Sequence, residues 1–217
     1  MQSKNAGIDR VLALSARQAF QRIAFWLRVN IWHLLTGVLI LTLPVSAAAM
    51  YHTVRAGLLD PFETRVNIRT EFALGMRMHF KRSYEMAGLN LAALGAIVLA
   101  IVFWFTRDAP LQYVTAIALA FFAFWWLCQP FLFPVLVEHP DLPVAMIVRM
   151  TARLVIQSPL VAFAVAMAHS AIALITVLLM GPSLLFTPTL AALVGIQSMW
   201  SIAGVPIPDF AVAPSDN

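Results

Sequence analysis

Three polar side chains lie inside long apolar stretches of the sequence and are the first candidates for chemistry. His169 is titratable, and Gln129 and Gln197 are uncharged hydrogen-bonding residues. Ionisable groups inside membranes often mark proton or substrate pathways. Amides in the same setting commonly join neighbouring helices by hydrogen bonds. We interpret all three as packing residues first, and a continuous polar path through them remains the alternative.

No catalytic or metal-binding motif accompanies these side chains. Glu138, His139 and Asp141 fall within four consecutive residues that include a proline, a spacing that matches no usual metal site. The chain contains no GxSxG, HExxH or P-loop motif and no pair of intramembrane aspartates. We therefore predict a protein that is not an enzyme and that binds no cofactor and no metal.

The composition indicates which elements must position the polar residues. Hydrophobic residues make up 61% of the 217 positions and charged residues only 11%, whereas a soluble domain averages about 25% charged residues. The apolar runs are continuous, unlike the alternating segments of a membrane β-barrel. The sequence thus predicts an all-α, polytopic integral membrane protein. Its net charge of +4 lies beside apolar runs, which fits anionic lipid headgroups and not nucleic acid.

Five apolar runs divide the chain. They cover residues 29–54, 86–106, 109–137, 154–180 and 184–203. Together they predict one membrane-embedded domain over residues 29–203, with a C-terminal tail at 204–217. Pro44 interrupts the first run and is expected to kink it. That run either spans the membrane once or enters and returns.

Basic residues cluster in two amphipathic segments. Residues 1–28 predict an interfacial helix, which either lies in the membrane plane or caps the bundle. Within the polar segment 51–87, residues 67–87 predict a second amphipathic helix at the interface. The interfacial basic residues of the two segments are Arg10, Arg17, Arg28, Arg77, Lys81 and Arg82.

Small residues recur at four-residue spacing in the second apolar run, at Gly88, Ala92, Ala96 and Ala100. Small side chains let membrane helices approach closely and gain van der Waals contact. We expect this face to be buried against another helix.

The distribution of Lys and Arg favours a broken first run. Cytoplasmic loops of membrane proteins are enriched in these residues. If the first run enters and returns, all but Arg107 of the 14 Lys and Arg residues lie on one side. A single span through residues 29–54 gives no such bias, although its charge-free length is that of an ordinary span.

Several stretches resemble the YesL-like family of small bacterial membrane proteins, a domain of unknown function. The resemblance covers roughly residues 20–200 and depends on short segments. These are Leu27-Arg28-Val29-Asn30-Ile31-Trp32, Pro44 with Ala47-Ala48-Ala49-Met50-Tyr51, Phe72-Ala73-Leu74-Gly75-Met76-Arg77-Met78-His79-Phe80-Lys81-Arg82-Ser83, Phe133-Pro134-Val135-Leu136, and Gln157-Ser158-Pro159-Leu160. The family's middle motif commonly has Gly-Phe where this chain has Gly75-Met76.

The resemblance implies a role beside sugar uptake. Members of the family tend to be encoded next to carbohydrate importers of the ATP-binding-cassette (ABC) type. We accordingly expect a non-enzymatic accessory subunit in the bacterial cytoplasmic (inner) membrane. Its partners would be membrane lipids and a sugar permease subunit, or a second copy of itself. The alternative is a small independent transporter or channel.

Overall fold

The computed structural model describes residues 7–37, 40–60, 66–107, 113–179 and 182–208, which form eight α-helices and no strand. The helices are α1 Ile8–Gln21, α2 Ile23–Gly37, α3 Leu43–Leu59, α4 Ile68–Phe105, α5 Val114–Glu138, α6 Val144–Gln157, α7 Pro159–Leu179 and α8 Thr187–Ala203. The prediction of an all-α protein is confirmed.

The first apolar run forms an antiparallel pair of helices, α2 and α3. Near the turn, Ser46 Oγ lies 2.7 Å from His33 Nδ1 and 2.8 Å from Thr36 Oγ1. At the other end, Arg22 Nη1 donates to the Gly57 carbonyl at 2.6 Å. Pro44 lies in the first turn of α3, where its missing N–H breaks no helical hydrogen bond. It therefore begins a helix and does not kink one.

Residues 68–87 of the polar segment and the second apolar run form one helix, α4, whereas residues 51–59 belong to α3. α4 continues for 38 residues without interruption, which corresponds to about 57 Å. Asn67 caps its start, because the side-chain oxygen accepts hydrogen bonds from the Arg69 and Thr70 amides. The helix expected over residues 67–87 therefore begins where it was predicted, but its predicted end is wrong, because α4 contains no proline and no cap at residue 86 that could end it.

The N-terminal helix also ends earlier than predicted. α1 stops at Gln21, and the Arg22 backbone leaves the helical region with φ −122° and ψ 34°. Arg28 consequently lies on α2. Residues 1–6 of the predicted N-terminal helix, and residues 209–217 of the predicted tail, lie outside the described residues.

The core lies between two 17-residue helices, α3 and α8. Every residue of α8 from Ala192 to Trp200 is buried, and α3 packs against α2, α4, α5 and α8. Two further amphipathic helices flank this core: α1 packs on α8, and α6 packs on α5.

Three helices of the described chain are long and apolar enough to cross a membrane, namely α4, α5 and α7. Of the five predicted spans, these three are supported by the structure. The first run is divided between α2 and α3, and the last run contains a helix of 17 residues. A perpendicular span of ~30 Å requires about 20 helical residues.

Candidate functional site

A cavity of about 550 Å³ opens between α5, α7 and α8. Its walls are mostly apolar, and small residues of α7 and α8 leave the space that larger side chains would fill. The lining residues of α7 and α8 include Ala166, Ala173 and Ala191. No lining residue carries a formal charge, apart from the titratable His169.

Polar groups gather at the α5 side of this cavity. Trp126 Nε1 donates a hydrogen bond of 3.1 Å to Ser170 Oγ, which joins α5 to α7. Gln129 joins α5 to α4, because its side chain exchanges two hydrogen bonds with Asn90 at 2.9 and 3.1 Å. Trp125 Nε1 also donates to Asn90 Oδ1 at 2.8 Å. Gln129 therefore forms hydrogen bonds to a neighbouring helix, and its partner is Asn90.

His169 forms part of the cavity wall. Its Nδ1 lies 3.0 Å from the Val165 carbonyl. A carbonyl can only accept, so a hydrogen bond at this contact requires the proton on Nδ1. Nε2 is enclosed and has no hydrogen bond within the described chain, although the Ala191 carbonyl lies near the ring. It points towards α8, 3.7 Å from where a Cβ on Gly195 would lie.

Gly195 lets α8 approach α5 closely behind this cavity. A Cβ at this position would lie 2.8 Å from the Pro130 carbonyl oxygen and 3.3 Å from Pro134 Cγ. Pro134 has no N–H, so it cannot donate the helical hydrogen bond to the Pro130 carbonyl. The backbone of α8 at Gly195 packs against this carbonyl instead.

The third predicted polar residue, Gln197, lies elsewhere. It is fully buried and accepts a 2.9 Å hydrogen bond from Ser15 Oγ, and its Nε2 donates to Gln18 Oε1. Gln18 also donates to the Pro208 carbonyl at 2.9 Å. Gln197 therefore holds α1 and the last described residues against α8. It does not line the cavity that His169 and Gln129 share.

The described residues leave the first part of the small-residue face of α4 uncovered, so the expected burial against another helix is not seen there. Gly88 and Ala92 are exposed, and a Cβ on Gly88 would meet nothing within 4 Å. Ala96 and Ala100 border a cavity of about 270 Å³ between α4 and α5. The four residues diverge because a four-residue step advances about 400° around a helix, so each lies about 40° from the last.

The predicted interfacial basic residues are mostly exposed. Arg10, Arg17 and Arg28 are solvent-accessible on α1 and α2, as are Arg77 and Lys81 on α4. Arg82 is half-buried and donates to Glu85 at 3.0 Å.

A buried arginine escaped the sequence analysis. The guanidinium of Arg22 bonds the Gly57 carbonyl at 2.6 Å and the Asp60 carbonyl at 3.1 Å. It also lies 5.1 Å from the Phe25 ring centre. Arg22 lies about 120° around a helix from the face that Arg10, Arg17 and Arg28 would share, and it is close to aromatic residues in the sequence, which was the available signal. Arg55 and Glu138 similarly join α3 to α5, with Nε and Oε2 2.5 Å apart.

A second cluster that the sequence did not reveal joins α3 to α4. His52 Nε2 lies 3.4 Å from a Glu71 carboxylate oxygen, and His52 Nδ1 lies 3.5 Å from His79 Nε2. Burial lowers the pKa of His52, and the neighbouring Glu71 carboxylate opposes that shift. The described residues contain no group of three or more His, Cys, Asp or Glu residues that could hold a metal ion.

Fold and site together define a helical protein of the membrane class, with a cavity whose polar groups are almost all uncharged. No family model matches the chain, and no curated protein or solved structure matches it either. The resemblance to YesL-like proteins therefore stays a prediction.

Proposed function

We propose that this protein is a non-enzymatic partner subunit of another integral membrane protein. The observation that carries the proposal is the exposed distal half of α4. Only 6% of its most apolar 18-residue window is buried within the chain. An added Cβ would meet nothing within 4 Å at Gly88 or at Gly95. This half of α4 therefore offers a long apolar surface that the described residues of this chain do not cover.

The shape of that surface favours a helix over lipid as its neighbour. Gly88, Ala92, Gly95 and Ala96 share one side of α4 over about two turns. Lipid tails are as apolar as Leu, so membrane helices associate through close packing, which small residues permit. We assign a transmembrane helix of the partner to this surface.

The kind of partner follows from the resemblance described above. It would be a permease subunit of a carbohydrate uptake system of the ABC type, in the bacterial cytoplasmic membrane. The charged end of the molecule would face the cytoplasm, since cytoplasmic segments are enriched in Lys and Arg. Arg22 hydrogen-bonds to carbonyls at the end of α3. The residues before and after the first apolar run therefore lie at the same end of the molecule, which supports this orientation.

Co-purification tests the proposal. The full chain, tagged and extracted in mild detergent from its own host, should bring down a permease subunit identified by mass spectrometry. Gly88→Leu combined with Ala92→Leu should abolish recovery of the permease. Gly88→Leu raises the helix propensity and Ala92→Leu leaves it nearly unchanged, so α4 itself should fold.

Val98→Phe is the matched control, because Val98 is exposed on α4 but lies about 80° away from Gly88 around the helix. It should leave the permease bound. Recovery that is the same for all three proteins would refute the docking surface. Recovery of a second copy alone, or of lipid alone, would refute the permease as the partner.

The alternative, an independent transporter or channel, makes a different prediction. Purified protein in liposomes would then carry substrate without any second protein. The cavity that contains His169 and Gln129 is the only observation that favours this reading, and Gln197 does not extend it into a path.

A further inference from the structure

We propose that the cavity between α5, α7 and α8 binds an uncharged amphiphile, an apolar molecule that carries one hydroxyl group. This inference goes beyond the partner role and does not depend on it. It follows from the walls of the cavity, its size and the hydrogen-bonding groups at its polar side.

The walls exclude a charged ligand. Ile172, Ala173, Val177 and Ala191 present apolar surface, and the lining includes no acidic or basic side chain other than His169. Placing an unpaired charge against such walls costs several kcal/mol. The binding of a hydrocarbon chain, by contrast, is favourable, because the chain leaves water or takes the place of loosely packed lipid in the cavity.

The size of the cavity fits a small molecule. Its volume of about 550 Å³ falls within the range of ~300–1,000 Å³ that is typical of small-molecule sites. Pro130 and Pro188, whose rings face the cavity, limit how far the flanking helix backbones can adjust to close it.

Two hydrogen-bonding positions remain open at the polar side. Ser170 Oγ accepts from Trp126 Nε1, but the Ser170 hydroxyl proton has no acceptor in the part of the chain that the structure describes. Gln129 Oε1 accepts one hydrogen bond, from Asn90, and a carbonyl oxygen has two lone pairs. The side chains thus offer one donor and one acceptor, which are the two needs of a hydroxyl group.

His169 is not the group that the ligand reaches. Its Nε2 is enclosed against α8, and its Nδ1 is engaged by the Val165 carbonyl. The ring closes the back of the cavity, and Ser170 is the residue that selects for the hydroxyl.

Photo-crosslinking tests the inference on the full chain in phosphatidylcholine nanodiscs. The probe is hexadecanol with a diazirine in its chain, and the matched probe is the same chain ending in a methyl group. We expect the alcohol to label residues that line the cavity, with competition by excess 1-hexadecanol but not by hexadecane. Ser170→Ala should reduce this labelling about three- to tenfold, the effect of one neutral hydrogen bond.

Two further variants make the result decisive. Ala191→Leu fills the cavity and should abolish labelling, whereas Leu174→Phe, which changes an exposed residue of α7 outside the cavity, should not affect it. Thermal unfolding of each variant checks its fold. Equal labelling by both probes, or labelling unchanged by Ser170→Ala, would mean that bulk lipid fills the cavity and would overturn the inference.

Discussion

A single glycine sets how closely two of the central helices pack. Gly195 lies opposite the Pro130 carbonyl, where an added Cβ would be only 2.8 Å from the oxygen. The neighbouring Pro134 Cγ, at 3.3 Å, gives no room on the other side. Backbone oxygen and a proline ring cannot rotate away as a flexible side chain can.

We predict that Gly195→Ala destabilises the protein by about 1–3 kcal/mol, the usual cost of overpacking a core. Thermal unfolding of the purified protein in detergent measures the effect. Gly88→Ala is the matched control, because its Cβ would meet nothing within 4 Å. It should raise stability by up to ~1 kcal/mol through helix propensity. Equal effects of the two substitutions would contradict the close contact between α8 and α5.

The histidine pair between α3 and α4 responds to acid. His52 is in contact with Glu71 and His79, and Arg55 also acts on its charge. Because burial holds the folded-state pKa of His52 below its ordinary value, folding favours the neutral ring. Its contribution to stability is complete above about pH 6.5 and is lost as the pH falls through the folded-state pKa.

We therefore predict that the thermal midpoint falls between pH 7.5 and pH 5, and falls less in His52→Gln. Glutamine keeps a hydrogen-bonding side chain but does not titrate in this range. The substitution removes the titration of His52 together with the effect of its charge on the neighbouring His79. An identical pH dependence in both would show that His52 does not couple protonation to the packing of α3 on α4.

At the scale of elements, the two halves of the continuous helix α4 make different contacts. Its first half packs on α3, with Gly75 so close to Ala49 and His52 that a Cβ would lie about 3 Å from both. Its second half leaves this core and contacts α5 through Asn90 and Gln129. Together with the hydrogen bond from Trp125 Nε1 to Asn90 Oδ1, this polar pair gives the contact between the two long helices its specificity, because apolar contacts are non-directional.

We predict non-additive effects for this pair. Asn90→Leu and Gln129→Leu should each destabilise the protein by about 1–2 kcal/mol, since each leaves a polar amide in apolar surroundings. The double substitution should cost less than the two single costs together, because no amide remains without its partner. A double-mutant cycle by thermal unfolding measures this coupling. Strict additivity would mean that the observed hydrogen bonds contribute nothing.

At the scale of the whole molecule, charge is distributed very unevenly. Arg107 lies beyond α4, at the opposite end of that helix from its capped start at Asn67. Arg55 and Glu138 meet where α3 and α5 end, and Arg22 bonds the end of α3. The helix ends thus divide into one charge-rich group and one charge-poor group.

Cysteine labelling in intact cells tests the orientation that this asymmetry implies. In a Cys128→Ala background, Arg107→Cys should react with an impermeant thiol reagent added outside. Asp141→Cys, at an exposed residue in the turn after α5, should react only after the cells are permeabilised. Labelling of Asp141→Cys from outside would invert the proposed orientation. Labelling of both from outside would place the two ends on one side and refute the spanning arrangement.

Some features could be predicted because they depend on composition and local periodicity. A chain with 61% hydrophobic residues cannot cover its surface with polar groups, so a membrane-embedded helical fold follows. Helix-forming stretches were found for the same reason. The break of the first run near Pro44 was visible too, because proline is favoured in the first turn of a helix and lacks the N–H that an interior position would use.

Other features required the tertiary structure, because they depend on contacts between distant residues. Arg22 meets Gly57, Ser15 meets Gln197, and Asn90 meets Gln129. The continuity of α4, by contrast, was readable from the sequence, since the charge changes abruptly at residue 86 but neither a proline nor a cap residue ends the helix there.

The sequence by itself determined that this is an apolar, all-helical chain whose basic residues lie outside its longest apolar runs. Only the tertiary structure decided which polar residues share a cavity and which hold helices together. The reason is that hydropathy and helix periodicity act along the chain. Hydrogen bonds and close packing act across it, at separations such as 182 residues between Ser15 and Gln197, which no local pattern records.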